Sequence, residues 1–300
     1  MLRVGFIGLG KMGRPMSEVL LKAGFSLLVH SRSQAPVEAL VAQGATAAAS
    51  PRQVAEESDI VLTCLPDLPA VRQVYLGPEG VLQALRPDHL LADHSTVDPD
   101  TSRELYAAAD AAGAAFLDAP MSGGPARAVD GSLTFMVGGD AEPFEKARPI
   151  FDALGANIYH VGPAGAGTVI KLANQLLVGI HTAASVEALI LVAKAGADPR
   201  VAVEVIGSSF GASAMLNRNG PLVLARRFDA VTPVDLILKD LRLITKLAED
   251  QSIRLLLGNM AKQLFGEASI LGLGGNDMAA LVQPLERLAG VEVGGGSEGG

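Results

Sequence analysis

The sequence predicts an α/β domain followed by an all-helical one. Three observations carry this. Up to about residue 163, short β-rich apolar runs alternate with helical patterns, as in a mostly parallel sheet covered on both faces. Beyond Pro163 the strand-like runs cease, and helical periodicity continues to about residue 290. Between the first strand and the first helix stands Gly8-Leu9-Gly10-Lys11-Met12-Gly13, a GxGxxG turn.

In chain order, strands are expected at 4–7, 27–30, 60–65, 90–92, 115–117, 133–137 and 157–159, with helices between most of them. The run at 133–137, ending at Gly138-Gly139, reads as an antiparallel edge. Ser50-Pro51 supplies an N-cap and a proline at the first helical position. Residues 165–195 read as one helix about 45 Å long. Gly196-Ala197-Asp198-Pro199 stops it and starts the next. The expected division is 1–163, 164–292 and a disordered Gly/Ser-rich tail, 293–300.

Composition narrows the function. Three hundred residues, 49% of them hydrophobic, can bury a large core. A net charge of −8 argues against nucleic acid as a partner, which calls for clustered cations. Cys64 is the single cysteine, so no disulfide framework is expected and a reducing, cytoplasmic setting fits. Residues 176–193 are long enough to suggest a membrane span, but they carry His181 and Glu187, and a carboxylate in mid-span is costly in lipid. A buried helix and no membrane partner are therefore expected. Its apolar surface, with Gly179 and Ala183 for close approach, points to a homodimer or homotetramer built through the helical domain. His94, His160 and His181 are too scattered for a metal site, so none is expected. No G-x-S-x-G nucleophile elbow occurs.

The glycine turn, directly after a strand and opening a helix, is the arrangement that cradles a dinucleotide pyrophosphate. A protein that grips NAD usually places an acid about 20 residues further on, against the ribose hydroxyls. Here that place holds Ser31-Arg32-Ser33. A guanidinium pairs with a 2′-phosphate where a carboxylate would repel it. NADP(H) is therefore favoured over NAD(H), with Gly8, Leu9, Gly10, Lys11, Met12, Gly13, Ser31, Arg32 and Ser33 as its contacts.

At four places the chain resembles the 3-hydroxyisobutyrate dehydrogenase-like β-hydroxyacid dehydrogenases, which include tartronate semialdehyde and glyoxylate/succinic semialdehyde reductases. The segment Gly5 to Met16 looks like the family's cofactor fingerprint. Asp118-Ala119-Pro120-Met121-Ser122-Gly123-Gly124 is similar to its substrate loop, with Met121 where valine is usual. Gly165 to Gln175 resembles the catalytic helix, and Leu238-Lys239-Asp240-Leu241 a late motif. The resemblance implies a dinucleotide-binding Rossmann domain with a helical partner domain. It also implies hydride transfer between NADP(H) and a small β-hydroxy acid or semialdehyde carboxylate.

On that resemblance Lys171 is the general acid/base, and Asn174, one turn on, holds the substrate oxygen or orients the lysine. Ser122, Gly123, Gly124, Thr96 and Asp240 would bind substrate. Leu65, Pro66, Thr96 and Lys239 would meet the cofactor. One departure is Thr232, where members acting on small acids carry a phenylalanine; its loss would widen the pocket. Imine reductases share the scaffold but usually replace the lysine, and non-catalytic relatives lose it. Lys171 counts against both alternatives.

Overall fold

Most apolar runs before residue 163 form strands that are buried on both sides, as in Arg3–Ile7, Ile60–Thr63, Leu90–Asp93 and Ala115–Asp118. In β1 (Arg3–Ile7), Val4 and Phe6 enter one core while Ile7 enters the other. The computed structural model describes residues 2–229 and 231–294. The remaining strands are β2 (Ser26–His30), β3 (Thr46–Ala47), β4 (Ile60–Thr63), β5 (Leu90–Asp93), β6 (Ala115–Asp118), β7 (Met121–Ser122), β8 (Leu133–Gly138) and β9 (Gly155–Gly162). They form one sheet in the order β3-β2-β1-β4-β5-β6-β8-β7, with β9 beside β8. From β3 to β6 every pairing is parallel; β8 runs antiparallel to β6 and β7. This is the α/β class that the sequence predicts; β8 is antiparallel to β6 as expected, but it is no edge, since β7 and β9 also pair with it.

Helices α1 (Gly13–Lys22), α2 (Gln34–Val41), α3 (Pro51–Glu57), α4 (Leu68–Leu76), α5 (Pro99–Ala111), α6 (Gly124–Asp130) and α7 (Ala141–Leu154) connect these strands. Three of their starts share one device. Ser50, Asp67 and Asp98 each accept a backbone N–H three residues on, and a proline follows within the first turn.

The strand expected at 60–65 ends at Thr63. Cys64 still donates its N–H to Ile7, but the Leu65 N–H goes to the Ser95 hydroxyl instead of a neighbouring strand. Strands β3 and β7 were not expected. Two residues carry no periodicity, and both exist because a longer neighbour offers a free edge.

Helix α8 (Ala166–Lys194) is the long helix, and α9 (Pro199–Gly207), α10 (Ala214–Leu224), α11 (Val234–Asp250), α12 (Leu256–Ala268) and α13 (Val282–Ala289) follow it. The chain folds as two compact units, Met1–Lys171 and Leu172–Gly300. By compactness the chain divides inside α8, whose first turn is bonded to strand β6. Of the residues read as a tail, Val293 is buried and donates its N–H to Glu286 at 2.7 Å. Residues 295–300 lie outside the described residues.

The second unit has its own core, in which Val186 and Leu189 of α8 meet Ile237, Leu238 and Leu241 of α11 and Phe265 of α12. Gly179 serves this packing, since a Cβ there would stand 3.0 Å from the Leu241 side chain. Its close approach is thus used within the chain. Asp277 is the polar centre of the unit. It takes two 2.7 Å bonds from Arg218 and the backbone N–H groups of Val231 and Thr232. Burial pushes the Asp277 carboxyl up, but Arg218 and the N–H groups of Thr232 and Ala279 together outweigh this and hold it below the usual carboxylate range.

By length and composition α8 could cross a membrane, and about a third of its most apolar stretch is buried within the chain. It is not the buried helix the sequence suggested: Ile170, Leu177 and Leu191 are exposed.

His94, just past β5, is buried between the rings of Phe135 and Phe151 and meets the Ala119 carbonyl through Nδ1 at 2.8 Å. Burial pushes its pKa down to about 4. An unfolded imidazole takes its proton near pH 6.5, so His94 binds fewer protons folded than unfolded. Its contribution to stability is full above about pH 6.5 and is lost as the pH falls toward 4, by about 3 kcal/mol. His94→Asn keeps a donor for Ala119 without titrating. Denaturant unfolding at pH 7 and pH 4.5 should therefore show a smaller acid loss in the variant, and equal losses would refute the assignment.

Candidate active site

Four neighbouring strands end side by side, and each extends its ladder by one residue. Gly8, Cys64, His94 and Ala119 donate their N–H groups to His30, Ile7, Thr63 and Asp93 at 2.7–3.0 Å. The strand order reverses at β1, between β2 and β4. Ligands of open α/β sheets bind at such a switch point, outside the carboxyl ends of the strands.

Two glycines of the turn show opposite constraints. A Cβ on Gly13 would strike the Gly8 carbonyl and stand 2.9 Å from the Phe6 ring, so helix and strand can meet only at glycine. A Cβ on Gly10 would meet nothing within 4 Å. The chain itself leaves room at Gly10, as a site that takes another molecule against its backbone must. Helix α1 opens at Met12 with no side-chain cap and no acid in its first turn, which leaves its positive end to an anion. These residues fit a dinucleotide pyrophosphate. Leu9 is buried, Met12 half-buried and Lys11 exposed beside it.

At the end of β2, Ser31 is half-buried while Arg32 and Ser33 are exposed. Ser33 is the N-cap of α2, yet its hydroxyl makes no capping bond, and the first turn of α2 carries no acid. The group is cationic and donor-rich.

Between β4 and β5 lies a polar network that the sequence reading missed. Asp93 is buried and accepts from the hydroxyls of Thr63 and Ser95, each at 2.6 Å, and from the Ser95 N–H at 3.1 Å. Because Thr63 donates to Asp93, the Tyr75 hydroxyl, 2.8 Å away, donates to Thr63. Ser95 in turn accepts the Leu65 N–H at 2.9 Å. Burial pushes Asp93 above the usual carboxylate range; Ser95 and Thr63 draw it back in part, while Asp118 adds to the rise. Burial, with Asp93 nearby, also pushes the Cys64 thiol to about 12, so Cys64 is no thiolate nucleophile. Leu65 and Thr96 are half-buried and Pro66 is exposed on the two loops this network joins.

Asp118, paired in register with Asp93, ends β6. Its two oxygens accept the N–H groups of Gly165 and Thr168, each at 2.7 Å. A side chain from the sheet thus caps α8, and the Ser102 hydroxyl, 2.9 Å from that of Thr168, ties in α5. Burial raises the Asp118 pKa, opposed by the same two N–H bonds. Lys171 follows within the next turn and is buried, at 8% exposure. The Ser122-Gly123-Gly124 loop leaves β7 with φ of +135° at Gly123 and +68° at Gly124, a path other residues rarely take.

Asn174 donates to Gln175 at 3.1 Å, and Gln175 donates to Asp240 at 2.5 Å. Lys239 lies 3.1 Å from the other Asp240 oxygen. These contacts join Asn174 of the helix to Lys239 and Asp240 of the late motif, with Gln175 as a link that sequence reasoning left out. The Asp240 carboxylate is 2% exposed and turned to protein partners. Among the described residues no cluster of His, Cys, Asp or Glu could hold a metal ion.

Comparison with known proteins places this arrangement. Residues 3–162 match the family described as the NAD binding domain of 6-phosphogluconate dehydrogenase. Residues 165–285 match the NAD-binding domain of NADP-dependent 3-hydroxyisobutyrate dehydrogenase. The chain is 39% identical to the 2-(hydroxymethyl)glutarate dehydrogenase of Eubacterium barkeri over 98% of both chains. It is 36% identical to the 2-hydroxy-3-oxopropionate reductase of Escherichia coli over 96% of its own length and 98% of the relative's. Among solved structures, the 3-hydroxyisobutyrate dehydrogenase of Mycobacterium tuberculosis with L-serine superposes with a TM-score of 0.87. That match has 31% identity and covers 95% of this chain and 99% of that one. The chain belongs to the β-hydroxyacid dehydrogenase family, whose members are NAD(P)-dependent dehydrogenases of hydroxy acids.

The two glycines give a paired test. Gly13→Ala should lower the thermal midpoint by several degrees, as about 1–3 kcal/mol of overpacking does in a domain of this size. Gly10→Ala should leave the midpoint unchanged while weakening dinucleotide binding, read by fluorescence titration. A Gly10→Ala protein that binds as the native one does would show that the turn faces no cofactor.

Proposed function

We propose that this chain is an NADP(H)-preferring enzyme that interconverts a small β-hydroxy acid and the corresponding semialdehyde carboxylate. The observation that carries the reading is the placement of Lys171. It is a buried lysine one turn past a helix end that Asp118 bonds to the carboxyl edge of the sheet, the edge that also bears the glycine turn.

The nicotinamide supplies the hydride acceptor for oxidation and the donor for reduction. The chain handles the proton. In the oxidative direction the neutral Lys171 amine takes the hydroxyl proton; in the reductive direction the ammonium returns it to the carbonyl oxygen. Asn174, one turn on, holds the substrate oxygen or the lysine. Its bond to Gln175, and through it to Asp240 and Lys239, fixes its rotamer. Asp240 thereby becomes a positioning residue rather than a substrate contact. The Ser122-Gly123-Gly124 loop offers a hydroxyl and backbone N–H groups to the substrate carboxylate.

Thr232 leaves more room than the phenylalanine of small-acid enzymes. The likeness to an enzyme named for 2-(hydroxymethyl)glutarate supports a substrate larger than glyoxylate. The exposed apolar residues Ile170, Leu177 and Leu191 of α8 take a second copy of the chain as their partner in this reading.

Lys171→Ala should lower turnover by about 10²–10⁴-fold while NADPH binding survives. The check is a 340 nm assay against small semialdehydes and hydroxy acids, run beside a binding titration; near-native turnover would end the mechanism. Ser31→Asp combined with Arg32→Leu should move the ratio of kcat/KM values toward NADH by about tenfold or more, because an acid repels the 2′-phosphate and the guanidinium is gone. An unchanged ratio would return the triplet to being an ordinary polar turn.

A further inference from the structure

We propose that Ser95, held by Asp93, is a positioning residue for the nicotinamide half of the cofactor, acting through the Leu65 backbone. The inference rests on the dinucleotide reading above.

Three contacts carry it. Leu65 lies against the glycine turn, since a Cβ on Gly8 would strike the Cys64 carbonyl and stand 3.0 Å from the Leu65 side chain. The Leu65 N–H, which leaves the strand ladder there, is taken by the Ser95 hydroxyl at 2.9 Å. That hydroxyl is aimed by its own 2.6 Å donation to the buried Asp93. With its proton committed to the carboxylate, the Ser95 oxygen can only present a lone pair, and Leu65 supplies the donor. Thr63, with Tyr75 behind it, gives Asp93 a further hydroxyl, so the carboxylate cannot swing away without leaving donors unpaired.

The direction of the effect follows from the sheet. The Ser31-Arg32-Ser33 group stands at the end of β2, on one side of the glycine turn. Leu65 and Ser95 stand beyond β4 and β5, on the other. A dinucleotide laid across the switch point with its adenosine half over β2 puts its nicotinamide half over β4 and β5. Ser95 thus sets the β4 loop beneath the reacting half and has no bond to the adenosine end. His94, between Asp93 and Ser95, bonds the opposite loop at Ala119, so one tripeptide positions the loops on both sides of β5.

The test compares the whole dinucleotide with its adenosine half in the full-length protein. Ser95→Ala removes the acceptor of the Leu65 N–H. It should weaken binding of the preferred dinucleotide by about tenfold, the effect of one lost buried hydrogen bond. Binding of adenosine 2′,5′-bisphosphate (or ADP, if NADH is preferred) should stay within about twofold, and that retained binding also reports a folded site. Ser95→Thr, which keeps the hydroxyl, should recover most of the loss. A Ser95→Ala protein that binds the dinucleotide as tightly as the native chain overturns the inference alone. So does one that loses dinucleotide and fragment equally, which marks a purely structural serine. A native protein that binds neither dinucleotide overturns the cofactor reading, and this inference with it.

Discussion

The hydrogen bonds from Gly165 and Thr168 to Asp118 are the constraint on which the rest of the candidate site depends. A helix start leaves N–H groups without partners and a partial positive charge. A carboxylate buried at the end of a strand carries the opposite need. Each satisfies the other. The two groups lie far apart in sequence, and the bonds fasten the first turn of α8, up to Lys171, against β6. Gly138 and Gly167 allow this approach. A Cβ on Gly138 would stand 2.8 Å from the Gly167 nitrogen, and one on Gly167 would be 2.6 Å from the Asp118 carbonyl. Lys171 inherits its position from these contacts.

Asp93 solves the same problem one strand away by other means. It has no helix to cap, so it collects hydroxyls, and the loops after β4 and β5 are drawn together by a side chain rather than by strand pairing. Both carboxyls are pushed upward by burial, and each holds donors that water would otherwise have supplied. The carboxyl edge is thus polar but internally bonded, which lets loops that face a ligand remain ordered without a strand ladder.

Much of this was legible in the sequence, for local reasons. Strand–helix alternation, proline at helix starts and the glycine turn each act within a few residues, so the Rossmann order and the long helix could be read directly. The general location of Lys171 and Asn174 came from a family pattern. What stayed hidden was long-range pairing. Thr63, Tyr75 and Ser95 look like ordinary strand and helix residues until the sheet brings them to Asp93. Gln175 resembles any polar helix residue until α11 places Asp240 beside it. Asp118 was read as part of a substrate loop because its motif was visible and its partners, at 165 and 168, were not. The burial expected for α8 erred because hydropathy reports how apolar a helix is, not what covers it.

Thr232 shows how such a fold can accommodate change. Its N–H bonds to Asp277 and its carbonyl accepts from Met278 at 2.9 Å, so the main chain alone fastens the segment ahead of α11. Asp277 is in turn locked by Arg218. None of these anchors uses the threonine side chain. The start of α11 is therefore set at this position by backbone bonds and not by the side chain of residue 232. Residue type at 232 and the geometry of the segment that carries it are thus separable, because one resides in a side chain and the other in main-chain bonds to Asp277 and Met278.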